Sequence, residues 1–113
     1  MKTIITIVFL LLASAVFGQD FKEDISVVQF SASFVKDSEI DLEKFKDCST
    51  YTFYIEKDNT HFVREEIEYL PTVLVYQNGK EIMRVETGIS MAFPEGTDKK
   101  IKKKVEELIG NKF

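Results

Sequence analysis

The sequence predicts one small α/β domain with a mixed sheet, and three observations lead to this prediction. Short β-prone runs alternate with segments of helical character over residues 25–109. Asn78-Gly79 lies between two of the β-prone runs, which is the strongest short-range signal for a hairpin. The chain then closes with an amphipathic segment. Strands joined through a helix pair in parallel and strands joined by a tight turn pair antiparallel, so we expect both kinds of pairing.

Four segments are predicted to be strands. Ile25–Ser31 is rich in β-branched and aromatic residues and has the length of a buried strand. Tyr51–Ile55 is also strongly β-prone, and it ends at the turn cluster Lys57-Asp58-Asn59. Thr72–Tyr76 and Glu81–Glu86 flank the Asn-Gly turn and are predicted to form the hairpin.

The first predicted helix connects the first two strands. Leu42 and Phe45 repeat at helical spacing, and the segment runs from Ser38 to Cys48. Asp41 follows Ser38 by three residues, an arrangement typical of a helix start, so we expect Ser38 to be the capping residue rather than a nucleophile.

Two further helices are predicted. Thr60–Tyr69 has a pattern compatible with about two turns and is stopped by Pro71, because proline restricts the residue before it. In the last helix four apolar residues share one face, and the five lysines between residues 99 and 104 are interpreted as a solvated face. The apolar four are Ile101, Val105, Leu108 and Ile109.

Residues 1–18 have the features of a secretory signal peptide. Lys2 precedes a mainly apolar run, Ile4–Leu12, and small residues follow it at Ala13-Ser14-Ala15. The apolar run is shorter than the roughly 20 residues that a bilayer span needs, which argues against a membrane anchor. We expect cleavage after Gly18, a secreted or periplasmic product without stable membrane insertion, and one domain over residues 19–113.

Charge and composition exclude several classes of function. The formal net charge is −4, so a nucleic acid is not an expected partner. Cys48 is the one cysteine, so no disulfide can form within the chain. Cys48 and the one histidine, His61, do not make a metal-ligand set, and no cofactor is expected. His61 is predicted to be a surface residue.

Residues 67–80, followed by Arg84 and Gly88, resemble the thioredoxin family. A hydrophobic residue, proline and threonine precede an apolar strand that ends in Asn-Gly-Lys, which is similar to the family's segment where a cis-proline precedes the final hairpin. The resemblance implies that the Leu70–Pro71 bond is cis. It also implies that the backbone of Leu70 is available to pair with an extended peptide.

Residues 27–38 are similar to the strand and loop that lead into the family's redox site, but the reactive groups differ. Val35 and Ser38 stand where the family has the two cysteines of its C-x-x-C motif, and Gln29 stands where it has a buried acid. The other replaced positions are Lys36 and Asp37, between the cysteine positions, and Phe34, in place of a tryptophan.

The resemblance covers about residues 25–109 and implies a minimal thioredoxin-like fold. Thioredoxins have an additional strand and helix at the start, for which residues 19–24 leave no room. We therefore expect a four-stranded mixed sheet in the order 2-1-3-4 with flanking helices.

The resulting hypothesis is an exported, redox-inactive, thioredoxin-like domain that is not an enzyme and binds a protein or an extended peptide. Two alternatives stay open: an oxidoreductase in which Cys48 acts with a partner's thiol or glutathione, and a structural or assembly component. The expected binding residues are Phe34, Val35, Lys36, Asp37, Ser38, Leu70, Pro71 and Thr72.

Cys48 is expected to be a structural thiol. At the C-terminal end of a helix and beside Asp47, a thiolate would be disfavoured by both the helix dipole and the carboxylate. We expect the thiol to be buried or half-buried, with a disulfide-linked dimer through Cys48 as the alternative.

Overall fold

A computed structural model describes residue 22 and residues 24–112, and a four-stranded sheet lies at its centre. The strand order is β2-β1-β3-β4, with β1 and β2 parallel and the other two pairs antiparallel. The predicted order and the mixed pairing are confirmed. The predicted signal peptide lies outside the described residues. The strands are β1 (Ile25–Ser31), β2 (Ser49–Tyr54), β3 (Thr72–Gln77) and β4 (Lys80–Glu86).

The hairpin between β3 and β4 is confirmed and is one residue longer on each side than predicted. Asn78 and Gly79 have φ angles of 52° and 84°. Positive φ at both central residues is the requirement of a type I′ turn, whose twist matches that of the strands. Val75 pairs with Met83 but Tyr76 pairs with Glu81, so β4 contains a β-bulge.

The predicted helix from Ser38 to Cys48 is wrong. The chain instead forms two short 3-10 helices, Ser33–Ser38 and Leu42–Lys44, and the second is capped by the side chain of Asp41. The cause is a contact from β1, because the Gln29 amide accepts a bond from the Ile40 N–H at 2.8 Å and donates to the Ile40 carbonyl at 3.0 Å. With both of its backbone groups held by a side chain, Ile40 makes no helical hydrogen bond.

The second helix, α1 (Thr60–Arg64), is also shorter than predicted and ends six residues before Leu70. Glu66 has a φ angle of 56°, and the Ile67 N–H donates to the Phe62 carbonyl at 2.9 Å. This is a Schellman-type ending with a left-handed residue, so the helix ends there and not at Pro71.

Two apolar clusters fill the two faces of the sheet. The last helix, α2 (Thr97–Lys112), buries Ile101, Val105 and Leu108 against one face, as predicted. The opposite face is mainly aromatic, and the Phe62 ring of α1 meets the Phe30 ring edge-on at 5.1 Å.

A buried ion pair lies beside Tyr76 on the aromatic face of the sheet. Lys22 Nζ lies 2.7 Å from Glu65 Oε1 and 5.1 Å from the centre of the Tyr76 ring, and the Tyr76 hydroxyl donates to the same carboxylate. The Arg84 guanidinium donates to the Glu65 carbonyl at 2.7 Å. The segment before β1 is thereby joined to the end of α1 and to the hairpin.

Candidate functional site

One row of residues crosses all four strands near one end of the sheet. Phe30 pairs with Phe53 on one side and with Thr72 on the other, and Thr72 pairs with Glu86. Strands β1, β2 and β4 run toward this row, whereas β3 begins there. The segments beyond it therefore meet at the same end of the sheet: residues 32–38, 55–59, 69–71 and 87–91.

The predicted binding residues all lie at this end, but they differ in exposure. The Phe34 side chain is 74% exposed, and Lys36 and Asp37 are also exposed. Ser38 and Leu70 are half-buried. The remaining three, whose side chains are buried, are Val35, Pro71 and Thr72.

Sequence reasoning missed the apolar side chains that other segments expose at the same end. Ile89 is 90% exposed and Met91 is 43% exposed in the turn that follows β4, and Ile55 is 38% exposed just after β2. A signal was available, since large apolar residues are unusual in a segment with so many turn residues. We call Phe34, Ile55, Leu70, Ile89 and Met91 the apolar end of the sheet.

A cleft of about 550 Å³ continues the apolar end beside α1. Its apolar lining includes Ile55, Ile67 and Val63, and Val63 is 73% exposed. Two exposed carboxylates, Glu66 and Glu68, lie at its border.

Carboxylates fix the loop that carries Phe34. The backbone N–H and the hydroxyl of Ser33 both donate to Glu56, at 2.6 and 2.5 Å. The hydroxyls of Ser31 and Tyr54 donate to Glu39, at 2.8 and 3.2 Å. The bond from Ser33 lowers the pKa of Glu56, while burial and the bond to Glu39 raise the pKa of Tyr54. The ends of β1 and β2 and the loop between them are thus tied together.

The backbone at Leu70 differs from its surroundings. The Leu70–Pro71 bond is cis. The Thr72 hydroxyl donates to the Tyr69 carbonyl at 2.6 Å, but within the described part of the chain the main-chain groups of Leu70 make no hydrogen bond. A half-buried residue with an unbonded backbone, between two apolar loops, can accept a pairing strand.

The positions that resemble a redox site hold no reactive group. Val35 is a buried aliphatic residue, and Ser38 is the last residue of a 3-10 helix, so the prediction that Ser38 caps a helix is wrong. Gln29 is buried and neutral, with its amide bonded to Ile40.

Cys48 is half-buried, as predicted, but not at a helix end. It lies just before β2 and donates weakly from Sγ to the Phe45 carbonyl at 3.9 Å. Burial, and then the charge of Asp47, raise the pKa of the thiol to about 11. Because β2 has six residues at about 3.3 Å each, the thiol is roughly 20 Å from the apolar end.

Three further observations concern His61, metal binding and membrane-spanning helices. His61, predicted to be a surface residue, is partly exposed, and the centre of its ring lies 4.8 Å from that of the Phe53 ring. Among residues 22 and 24–112, no group of His, Cys, Asp and Glu side chains is arranged to hold a metal ion. No helix in the same part of the chain has the length and apolar character needed to cross a membrane.

No protein-family model matches the sequence, and no curated protein is detectably similar to it. Solved thioredoxin structures, however, are similar in fold. A thioredoxin from Nicotiana alata is 24% identical, with a TM-score of 0.58 over 71% of this chain and 72% of that chain. Thioredoxin from Schistosoma mansoni is 18% identical, with a TM-score of 0.57 over 81% of this chain and 85% of that chain. Thioredoxin from Fasciola hepatica is 14% identical, with a TM-score of 0.58 over 75% of this chain and 84% of that chain. The chain therefore has a thioredoxin-like fold.

Proposed function

We propose that this chain is an exported, redox-inactive, thioredoxin-like module that binds an extended peptide or a protein segment at the apolar end of the sheet. The observation that carries the proposal is the concentration of exposed large side chains at that end. Several exposed large apolar side chains on the loops at one end of a small protein indicate an interaction surface, because single exposed apolar residues are common but groups of them are not.

The mode of binding follows from the backbone. An extended segment that reaches the apolar end can form strand-like hydrogen bonds with the main chain of Leu70, while Phe34 and Ile89 contact its side chains from either side. Backbone bonds would supply affinity with little sequence preference. The apolar contacts would select hydrophobic residues.

The absence of redox chemistry is part of the proposal, and two observations support it. Val35 and Ser38 cannot form a disulfide at the positions that resemble a C-x-x-C motif. The thiol of Cys48, with a pKa of about 11, is protonated at neutral pH and therefore a poor nucleophile. The proposed location, secreted or periplasmic, rests on the signal-like pattern of residues 1–18.

The test is selection of a displayed random-peptide library on the protein, followed by affinity measurements on the double variant Phe34→Ser/Ile89→Ser. Truncating two central apolar contacts should weaken binding about tenfold or more. Tyr51→Ser is the matched control, because Tyr51 is an exposed aromatic residue on β2, outside the apolar end. The control should bind within about twofold of the parent.

Failure of the selection to enrich any peptide would contradict the proposal. So would peptides that bind the double variant and the parent equally well.

A further inference from the structure

A second surface, separate from the apolar end, lies between β4 and α2. A cleft of about 450 Å³ has Ile82 and Met83 at its floor and three lysines at its rim. The bulge in β4 explains why two neighbouring residues line the cleft. Ile82 is the extra residue of the bulge and lies next to Met83. Ile82 and Met83 both pack against the aliphatic cluster beneath α2.

The rim lysines, Lys100, Lys103 and Lys104, are spaced along α2 so that they share one side of the helix. Lys104 lies 3.6 Å from Glu107, which also lines the cleft. Lys100 and Lys103 form no ion pair with any described residue. The cleft lining has four cationic side chains, those of Arg84 and the three lysines, against the one carboxylate of Glu107, so the cleft is locally positive in a chain with a net charge of −4.

The strand beside the cleft is an edge of the sheet. Within the described residues β4 pairs only with β3, so its other side presents backbone groups to solvent. We propose that this edge and the rim lysines bind an extended acidic segment of a partner protein, which adds to the sheet as a fifth strand. The proposal concerns a different surface from the apolar end and stands independently of it.

The spacing of the lysines agrees with a strand as the occupant. Lys100 is three and four residues from Lys103 and Lys104, or about 4.5–6 Å along a helix. Side chains on one face of a strand repeat every 6.6 Å or so. Two acidic residues in alternate positions of an added strand would thus each meet an ammonium group on the face that carries α2, and the residue between them would point to the opposite face of the sheet.

The test uses protein expressed from the full 113-residue sequence and an acetylated heptapeptide of alternating glutamate and valine as the probe. Titration followed by amide chemical shifts should move the β4 resonances of Ile82 and Met83. Lys100→Glu/Lys103→Glu should weaken binding about tenfold. Lys99→Glu/Lys102→Glu, with the same change in net charge but exposed positions outside the cleft, should change affinity less than about twofold.

Several outcomes would overturn the proposal. Equal weakening by the two double variants would show that only net charge matters. Shifts confined to α2, reproduced by sulfate or by phosphatidylglycerol vesicles, would show an anion or lipid surface without strand addition. If Lys100→Glu/Lys103→Glu left peptide binding intact and made the protein self-associate, the lysines would instead protect the edge of the sheet from aggregation.

Discussion

The two ends of the sheet differ in what they expose to solvent. At the apolar end, Phe34 and Ile89 project from loops that polar contacts hold in place. At the opposite end, Asp47, Asn78 and Gly79 are exposed, and the N–H of Asn78 donates to the Asp24 carbonyl at 2.8 Å. We call the end at Asp47, Asn78 and Gly79 the polar end. It shows that the strands of this fold can be connected without exposing large apolar side chains. The exposed apolar residues at the other end are therefore not a requirement of the fold, which is why we propose that they form a binding site.

The largest effect is expected from two phenylalanines near the same end. Phe30 is fully buried against Phe62 and Phe53, so Phe30→Ala should lower the free energy of unfolding by about 3–5 kcal/mol. Phe34→Ala should change it by less than about 0.5 kcal/mol, because the ring is mainly in solvent. Urea denaturation of both variants measures the difference. A loss of several kcal/mol in Phe34→Ala would mean that the exposed ring serves folding.

The next effect concerns the buried ion pair between Lys22, which precedes β1, and Glu65, which follows α1. Lys22→Met leaves the Glu65 carboxylate buried without its cation, so it should cost about 3 kcal/mol of unfolding free energy at pH 7. Lys80→Met, at an exposed position of the hairpin, is the matched control and should have little effect. A cost below about 1 kcal/mol for Lys22→Met would remove the ion pair from the account of stability.

The same carboxylate predicts a dependence on pH. Burial acts to raise the pKa of Glu65, but the bonds from Lys22 and Tyr76 outweigh it and the pKa is lowered from 4.5. A lowered pKa contributes stability above the unfolded value, and this stability is lost as the pH falls through the folded value. The unfolding free energy should therefore decrease below about pH 4.5, and less steeply in Glu65→Gln. An identical slope in that variant would assign the acid sensitivity to other groups.

The smallest expected effect is that of Cys48→Ser on the rate of disulfide reduction. Reduction of insulin disulfides by the protein should not exceed that of the Cys48→Ser variant, because the thiol is half-buried, protonated and far from the apolar end. Turnover that Cys48→Ser abolishes would favour the oxidoreductase hypothesis instead.

The sequence predicted those elements whose structure depends on residues close together in the chain. β1 and the buried face of α2 follow from the spacing of their own apolar residues, and the hairpin from Asn78-Gly79. The loop between β1 and β2 could not be predicted in this way, because Gln29 binds the backbone of Ile40, eleven residues away. Phe34 was found through its place in a resemblance to known proteins. Ile89 was missed because its exposure depends on how the turn after β4 meets the other loops.

Mapping where a selected peptide binds is a direct test of the proposed site at the apolar end. Amide chemical shifts should be recorded while the protein is titrated with a peptide from the library selection. We expect changes at residues 32–38, 70 and 87–91, with none at Asp47, Asn78 or Gly79. Changes centred on the polar end, or a peptide that leaves the resonances of Phe34 and Ile89 in place, would contradict the claim that the apolar end is the binding site.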